Sequence, residues 1–549
     1  PAARALASGR PPETAMQVTT NDFFLERCMR HQMPIIDMCV VRAASFYMES
    51  LSYHHSYKPS VDRMIRRLQV FTQQTADYPS FWGINYSWFP ALFGYSEGGV
   101  PTDAHAHDRN VALAGDLARA GYTNASPDET KWYQTNKLSD DPAVREKAMA
   151  IQRKTVRYWK AQMDFGFGRH NKLYNDAVRQ VRPETVFTLF ENAGHDALKR
   201  TRSLYNDMNA ACYESYTDYG EWPMSASFTT DWARGNYPGK PVWITTDWGT
   251  SSEGDMKSLF HAIGRGLAGG GVPMEETRGL AELARRGKGL RLASQYGAIA
   301  KHARPDGRFA ILVTDSEQVF DGRAQYAYHA FYYHMTRLGC APVLVDEETA
   351  TAAGIPAEAK ALFIVRQQHP LEPKVEAAIE AFLRKGGKVV ATVDSLVKPK
   401  GAIVVDAKVK HIWEMAGFEW RVHAQMWEEF EKNWRAPLSK ALAETGVAPF
   451  ATTDPDQGLV AGMEAGPVRY AVVMADKRGT HSSEFEPTDG LPVSLEGTGW
   501  IVRDLVKQTT LATAAKDGRT EVSVDLVTEP IALLALYRAA PATLQPRVS

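Results

Sequence analysis

The stretch VWITTDWGT, residues 242–250, is an apolar run that ends abruptly on Asp247, Trp248 and Gly249. A short apolar run rich in β-branched and aromatic residues is typical of a buried β-strand. A buried carboxylate is costly unless it is paired or has a chemical role. The stretch therefore predicts a strand that brings Asp247 to the polar edge of a sheet.

Short apolar strands alternate with amphipathic helices through the first 300 residues, which predicts βα units around a parallel sheet. Six segments carry the strand pattern: MPIIDMCVV (33–41), FWGINYSW (81–88), ETVFTLFEN (184–192), NAACYESY (209–216), PVWITTDW (241–248) and FHAIGRGLAGGG (260–271). We interpret the final AGGG (268–271) as a tight turn at the rim. Because a closed barrel has eight strands, we expect a TIM-type (β/α)8 barrel without its first two strands in this chain, or else an open sheet.

The pattern changes near residue 306. The apolar runs RFAILVTDS, APVLVDEE, KALFIVRQQ and KVVATVDS alternate with the helical segments YAYHAFYYHMTRLG and PKVEAAIEAFLRKGG, which predicts a doubly wound, flavodoxin-like domain. MWEEFEKNW (426–434) is interpreted as an amphipathic helix or an interface segment. Alternating apolar and polar residues from about 461 predict a small antiparallel β domain. We therefore expect three domains, at residues 1–302, 303–460 and 461–549.

Composition argues against several functional classes. The chain carries 63 Lys and Arg residues against 64 Asp and Glu, with no basic block for nucleic acid or anionic lipid. No apolar run approaches the roughly 20 residues of a membrane span. The N-terminal PAARALASGRPPE lacks the layout of a signal peptide. We expect a soluble chain, cytoplasmic or exported by a signal outside these residues.

The four cysteines, at positions 28, 39, 212 and 340, are widely scattered. Their spacing matches neither a zinc site nor a dense disulfide framework. We interpret them as buried apolar thiols and expect no metal site built on them.

The order of a barrel, a doubly wound domain and a small β domain resembles the β-galactosidases of glycoside hydrolase family 42, within clan A. GRFAILVTDSEQVF (307–320) and RKGGKVVATVDS (384–395) make the middle domain similar to that family's trimerisation domain and to class I glutamine amidotransferases. The amidotransferases carry a Cys nucleophile at a strand–helix turn, and VVATVDSLV has none, so the resemblance implies a structural module. It also implies a carbohydrate substrate, hydrolysis without a cofactor, and a homo-oligomer, in this family a trimer.

The resemblance further implies roles for particular carboxylates. The family ends its seventh barrel strand on a nucleophilic Glu, and PVWITTDWG places Asp247 there. The preceding strand ends in an acid–Asn–Tyr pattern, for which CYESYTD offers Glu214 as an acid and Tyr216 as the residue that positions Asp247. Each carboxylate has a structural alternative, as a helix cap for Asp247 or as an ion-pair partner for Glu214.

The general acid of the family follows a Trp-Gly pair on the fourth strand. FWGINYSWFP keeps Trp82 and Gly83, but the first carboxylate after them is Glu97, in a glycine-flanked loop. Glu97 is therefore a second candidate acid, or a solvated loop residue. The spacing of the two carboxyl groups, and with it retention or inversion, stays open.

Aromatic side chains suit sugar rings as well as ordinary cores, and the chain has 13 Trp, 22 Tyr and 22 Phe, concentrated in its first 250 residues. We expect substrate contacts from some residues at strand ends and in the loops that follow, while others serve the core or scaffold. The candidates are Trp82, Asn85, Tyr86, Trp88, Trp248, Glu191, Arg42 and Trp222.

Two other functional classes remain open. The absence of an Asn-Glu pair after Trp82 fits a catalytically weakened barrel that binds glycans without cleaving them. The motif HAHD (105–108) has the His-x-His spacing of amidohydrolase metal sites. Because no strand precedes this motif, the metal-dependent hydrolase is the weaker alternative.

Overall fold

The computed structural model describes residues 29–30, 35–37, 58–78, 81–87, 113–165, 169–192, 207–209, 211–215, 224–237, 240, 242–246, 269–271, 295–296, 303–321, 324–410, 420–465, 468–477, 487–529 and 531–538. The chain divides into two compact units. The first unit comprises residues 1–124, 157–191 and 201–211, and the second comprises residues 125–156, 192–200 and 212–549.

The described elements up to residue 271 alternate strands with helices, as the sequence predicts. They are β1 (Ile35–Asp37), α1 (Lys58–Thr75), β2 (Phe81–Ser87), α2 (Pro127–Asn136), α3 (Pro142–Met163), α4 (Arg169–Val181), β3 (Val186–Asn192), β4 (Ala211–Ser215), α5 (Ser225–Asn236), β5 (Val242–Thr246) and β6 (Gly269–Gly271). Each of the six segments with the strand pattern contains one of the strands β1–β6.

In the first unit, β1, β2 and β3 lie side by side in chain order and run parallel. Gly83 of β2 is required by this packing, because a Cβ there would come within 2.0 Å of the carbonyl oxygen of Val186. Helices α1 and α4 pack together through fully buried residues such as Leu68 and Val178, and Gln69 donates a hydrogen bond to Gln180 (3.2 Å).

In the second unit, β4, β5 and β6 are neighbours in chain order. β6 pairs in parallel with β5, with Trp243 opposite Gly269 and Thr245 opposite Gly271. The interpretation of AGGG as a tight turn is therefore wrong. Glycine has low strand propensity, but pairing with a neighbouring strand overrides that preference.

The next group of elements contains the doubly wound sheet and the helices around it. They are β7 (Ala303–Pro305), β8 (Phe309–Val313), α6 (Asp315–Phe320), α7 (Ala324–Arg337), β9 (Val343–Asp346), α8 (Glu347–Ala352), β10 (Ala361–Ile364), α9 (Pro373–Arg384), β11 (Lys388–Thr392), β12 (Ile403–Val405), α10 (Trp420–Glu429), a π-helix (Phe430–Trp434) and α11 (Arg435–Thr445).

Five of these strands form a parallel sheet in the order β12-β11-β10-β8-β9. This is the flavodoxin-like order, in which the strand sequence reverses between the first and third strands. Strands β8 and β10 are buried along their whole length, as expected for a parallel sheet covered on both faces. MWEEFEKNW is helical as predicted, although its second half is a π-helix with Phe430 and Trp434 buried.

Helix α7 is buried on every side. Its residues pack against α5, where the ring of His329 stacks on Phe228 at 4.5 Å, and against the π-helix, where His334 stacks on Trp434 at 4.9 Å. The Tyr332 hydroxyl donates to Asp231 of α5 at 2.6 Å. Because all faces are occupied, the amphipathic pattern of a surface helix is absent from this segment.

The last group of strands forms a β-sandwich. The strands are β13 (Ala451–Thr453), β14 (Gly458–Ala465), β15 (Val468–Ala475), β16 (Thr488–Glu496), β17 (Ile501–Asp504), β18 (Thr509–Leu511), β19 (Thr513–Lys516), β20 (Arg519–Leu526) and β21 (Ile531–Tyr537). One sheet has the order β13-β16-β20-β19, and the other has the order β18-β17-β21-β15-β14-β7. Residues from both sheets, such as Val473, Leu534, Val493 and Val524, share one buried cluster.

An ion pair between Arg337 and Asp476 joins helix α7 to the sandwich. The side chains are 0% and 3% exposed. The Arg337 guanidinium lies over the ring of Trp427 at 3.8 Å and donates to the hydroxyl of Tyr333 at 3.2 Å. Both charges are therefore desolvated and compensated at the same point.

None of the helices in the described part of the chain combines the length and apolar character that a membrane crossing demands.

Replacing Arg337 by Leu should lower the free energy of unfolding by about 3–5 kcal/mol, because Asp476 would keep a buried charge without its partner. The matched control is Arg384→Leu, which breaks the pair with Glu380, whose side chains are 70% and 68% exposed. Its cost should stay below about 1 kcal/mol. Guanidinium denaturation of the two variants measures the difference, and equal costs would contradict the central role of Arg337.

Candidate active site

The proposed nucleophile and its neighbour are best located through the strands that carry them. Strand β5 ends at Thr246, so Asp247 follows it directly. Strand β4, next to β5 in the sheet, ends at Ser215, and Glu214 is its penultimate residue. Tyr216 is the residue after β4. The adjacent strands β4 and β5 therefore end one residue after Glu214 and one residue before Asp247, respectively.

Four of the proposed substrate-binding residues lie on neighbouring strands of the first unit, and one of them is Tyr86, the sixth residue of β2. Trp82 is the second residue of β2 and is 51% exposed, whereas Asn85 lies nearer the end of that strand. Glu191 is the penultimate residue of β3. The register places Ser87 opposite Phe190. Asn85 therefore lies two residues before this pair on β2, and Glu191 lies one residue after it on β3.

The remaining predicted site residues lie outside the described part of the chain. They are Arg42, Trp88, Glu97, Tyr216, Trp222, Asp247 and Trp248, together with the HAHD motif. Their roles stay predictions. Within the described ranges, no group of three or more His, Cys, Asp or Glu side chains is placed to hold a metal ion.

A second polar site, which the sequence analysis did not find, lies at the carboxyl edge of the five-stranded sheet. We call it the switch-point cluster and define it as Thr314, Glu317, Arg366–His369, Thr392 and Ser395. These residues follow or end strands β8, β10 and β11. Ligands of doubly wound folds bind at this edge, where the strand order reverses.

Four consecutive backbone N–H groups of the cluster donate to side-chain oxygens. Arg366 and Gln367 donate to Thr392 (2.8 Å) and Ser395 (3.1 Å). Gln368 and His369 both donate to one oxygen of Glu317, at 2.6 and 2.8 Å. Arg366 has a φ of 45°, a left-handed conformation that is rare for a residue other than glycine. The Glu317 carboxyl group therefore occupies a concave nest of backbone amides.

Burial changes the acid–base behaviour of the cluster. It raises the pKa of Glu317 to about 8, although the two backbone hydrogen bonds and Lys137 oppose the shift. It lowers the pKa of His369 to about 3, with a smaller contribution from Lys137. At neutral pH both side chains are therefore uncharged.

The hydroxyl of Ser395, in the turn after β11, is fully buried. It accepts the Gln367 N–H and lies 3.1 Å from the hydroxyl of Thr392. These contacts assign Ser395 to the support of the turn after β10. The signal for the whole cluster in the sequence is the recurrence of polar residues directly after three buried strands.

A scan against protein-family models found no match, and a search of curated proteins found none either. Solved structures, in contrast, show clear similarity. An α-L-fucosidase isoenzyme 2 from Paenibacillus thiaminolyticus matches over 88% of this chain and 80% of its own, with 13% identity and a TM-score of 0.54.

Two β-galactosidases match over the same share of this chain. The enzyme from Bacillus circulans sp. alkalophilus has 12% identity, a TM-score of 0.55 and 83% of its own chain covered. The enzyme from Rahnella sp. R3 has 11% identity, a TM-score of 0.55 and 82% covered. At these identities the similarity shows a shared mixed α/β, glycosidase-like fold and no particular activity.

The shifted groups of the cluster predict a measurable pH dependence of stability. In the unfolded chain Glu317 loses its proton near its ordinary pKa of 4.5, but in the folded chain it keeps the proton up to about pH 8. The contribution of Glu317 to the free energy of unfolding is therefore fully present below pH 4.5 and is lost as the pH rises to about 8. His369 has the opposite pH dependence, since its contribution to the free energy of unfolding is lost as the pH falls from 6.5 towards 3.

Only Glu317 of this pair titrates between pH 6.5 and 8. Over that interval the free energy of unfolding of the wild type should fall by about 1–2 kcal/mol relative to that of Glu317→Gln. Chemical denaturation at several pH values measures the difference. The exposed Glu380→Gln variant is the control and should follow the wild type. Parallel curves for the wild type and Glu317→Gln would refute the burial of a neutral Glu317.

Proposed function

We propose that the chain is a glycoside hydrolase, similar to the β-galactosidases of family 42 in clan A, that removes a terminal sugar through a pair of carboxylates. The observation that carries this proposal is the position of Asp247 directly after β5, in a chain whose fold matches three glycosidases over 88% of its length. Chemistry in parallel α/β barrels occurs at the carboxyl ends of strands.

Asp247 acts as the nucleophile, or as the base that activates water. Glu214 or Glu97 is the acid that protonates the leaving oxygen, and Tyr216 positions the Asp247 carboxylate. Both roles are needed because glycosidic hydrolysis proceeds through an oxocarbenium-like transition state with a poor leaving group. The neighbouring ends of β4 and β5 favour Glu214 as the partner.

Substrate recognition combines stacking and hydrogen bonding. Trp248 and Trp222 provide faces for the sugar ring, and Trp82, which is half-exposed, is a third candidate. The hydroxyl groups of the sugar form hydrogen bonds with Asn85, Glu191 and Arg42. No cofactor enters this chemistry.

The finer architecture proposed is a TIM-type barrel (1–302), a flavodoxin-like trimerisation-type domain (303–460) and a C-terminal β-sandwich domain (461–549). The flavodoxin-like strand order supports the middle domain and the two packed antiparallel sheets support the third, although β7, β13 and the start of β14 join the sandwich from before residue 461. By analogy with family 42 the chain assembles into a homotrimer, in which a neighbouring subunit helps to wall the site.

A second candidate function is glycan binding without hydrolysis. The observation in its favour is that strand β2, FWGINYS, contains no carboxylate, although the general acid of the related enzymes follows Trp-Gly. In that case the sugar subsite is retained and the proton donor is lost.

Hydrolysis of a panel of nitrophenyl glycosides tests the proposal. The wild type should release nitrophenol from at least one sugar, and Asp247→Asn should lower kcat/KM by at least about 100-fold, since the amide cannot act as nucleophile or base. Asp489→Asn, an exposed acid of strand β16, is the control and should retain full activity.

Unchanged turnover in Asp247→Asn would remove that residue from the mechanism. Sugar binding by a wild type that hydrolyses none of the panel would instead favour the glycan-binding barrel. Loss of activity on chelation would favour the metal-dependent hydrolase.

A further inference from the structure

Helix α2 and the part of α3 up to Val156 form a hairpin, residues 125–156, that packs on the switch-point cluster. The hydroxyl of Tyr133 lies 2.8 Å from Nδ1 of His369 and donates to Gln152 at 2.7 Å. Gln152 in turn donates to the carbonyl oxygen of Pro370 at 2.9 Å. The hairpin is thus bonded to the segment that follows strand β10.

Tyr133 fills the place where a doubly wound sheet ordinarily receives its ligand. Its side chain is fully buried, with the ring stacked on Phe320 at 4.6 Å and on His369 at 5.7 Å. Phe320 ends the helix after β8, and His369 follows β10. The ring therefore lies between the segments that follow β8 and β10, the two strands at which the order reverses.

Tyr133 anchors α2 to the sheet, and Lys137, the residue after α2, lies 3.5 Å from Nδ1 of His369. Tyr133 is the only buried residue that α2 contributes. The ion pair between Arg153 and Glu372 adds little, because the two side chains are 49% and 29% exposed.

The hairpin also holds itself together without the sheet. Glu129 and Ser126 form a capping box at the start of α2, and Glu129 also pairs with Lys154 of α3 at 2.8 Å. Lys147 of α3 lies 4.1 Å from the ring centre of Trp132 on α2. These contacts hold α2 against the first part of α3, which continues as one helix to Met163.

We propose that the hairpin 125–156 is a latch that docks reversibly on the switch-point cluster, with Tyr133 as its anchor. In the undocked state the hairpin keeps its internal contacts and the five-stranded sheet stays folded. In the docked state Tyr133 of the same chain occupies the crevice in which a doubly wound sheet ordinarily binds its ligand. This inference does not depend on the proposed hydrolase activity.

The groups around Glu317 make the latch sensitive to pH. Lys137 and Tyr133 face it from the hairpin, Asp321 lies beyond the end of α6, Tyr328 is on α7, and His369 follows β10. Burial is the largest influence on the pKa of Glu317 and outweighs Lys137. Undocking exposes the carboxyl to water and releases its proton more readily, so a rise in pH favours the open state.

Hydrogen exchange read by mass spectrometry tests the latch in the full chain. In the wild type, amides of α2 should exchange through a local opening that leaves strands β8, β10 and β14 protected. Tyr133→Ala should lower protection of α2 by at least about 100-fold, and Tyr133→Phe by about 5–10-fold, since the latter loses only the hydroxyl contacts. Thr135→Ala, an exposed residue on the same helix, should leave protection unchanged.

Equal protection of α2 and strand β10 in the wild type, lost together in denaturant, would overturn the proposal. Should Tyr133→Ala fail to fold, the pH dependence decides. Protection of α2, corrected for the intrinsic exchange rate, should fall between pH 6.5 and 9 in the wild type but not in Glu317→Gln. The same pH dependence in both proteins would contradict the role of Glu317 in the latch.

Discussion

The ion pair between Arg337 and Asp476 is the contact on which the packing of the second unit depends. Neither side chain is more than marginally exposed, and the Arg337 guanidinium faces both the Asp476 carboxylate and the ring of Trp427. A buried charge without its partner costs several kcal/mol. The end of α7, the residue after β15 and helix α10 must therefore meet at one point. This contact, together with the pair between Arg308 and Glu496, joins the doubly wound part of the unit to the sandwich.

Most strands could be predicted because buried parallel strands are short apolar runs. RFAILVTDS contains β8, and PVWITTDW contains β5. The errors occur where pairing, and not the local sequence, sets the conformation. Gly269–Gly271 is a strand because β5 lies beside it, although glycine favours turns. The π-helix at Phe430–Trp434 was likewise missed, because its register follows from packing on His334 and its neighbours.

The candidate sites likewise differ in how they can be found: a local sequence pattern indicates one, and contacts between residues far apart in the chain form the other. Asp247 and Glu214 could be proposed from sequence, since an acid at the end of an apolar run is a local signal. The contact between Tyr133 and His369 joins residues 236 positions apart, and no local pattern links them. Glu317 resembles an ordinary helix-start acid in sequence, and only the fold shows that it lies in a nest of backbone amides.

The proposed hydrolysis requires two carboxylates that flank a glycosidic bond at the carboxyl ends of the strands. The most direct measurement is a crystal structure with a bound sugar, read for the distance from the Asp247 carboxylate to the nearest acid across the cleft. We expect Glu214 or Glu97 at about 5 Å, which implies retention, or at about 6.5–9.5 Å, which implies inversion. A cleft with no second acid within about 9.5 Å of Asp247 would contradict it.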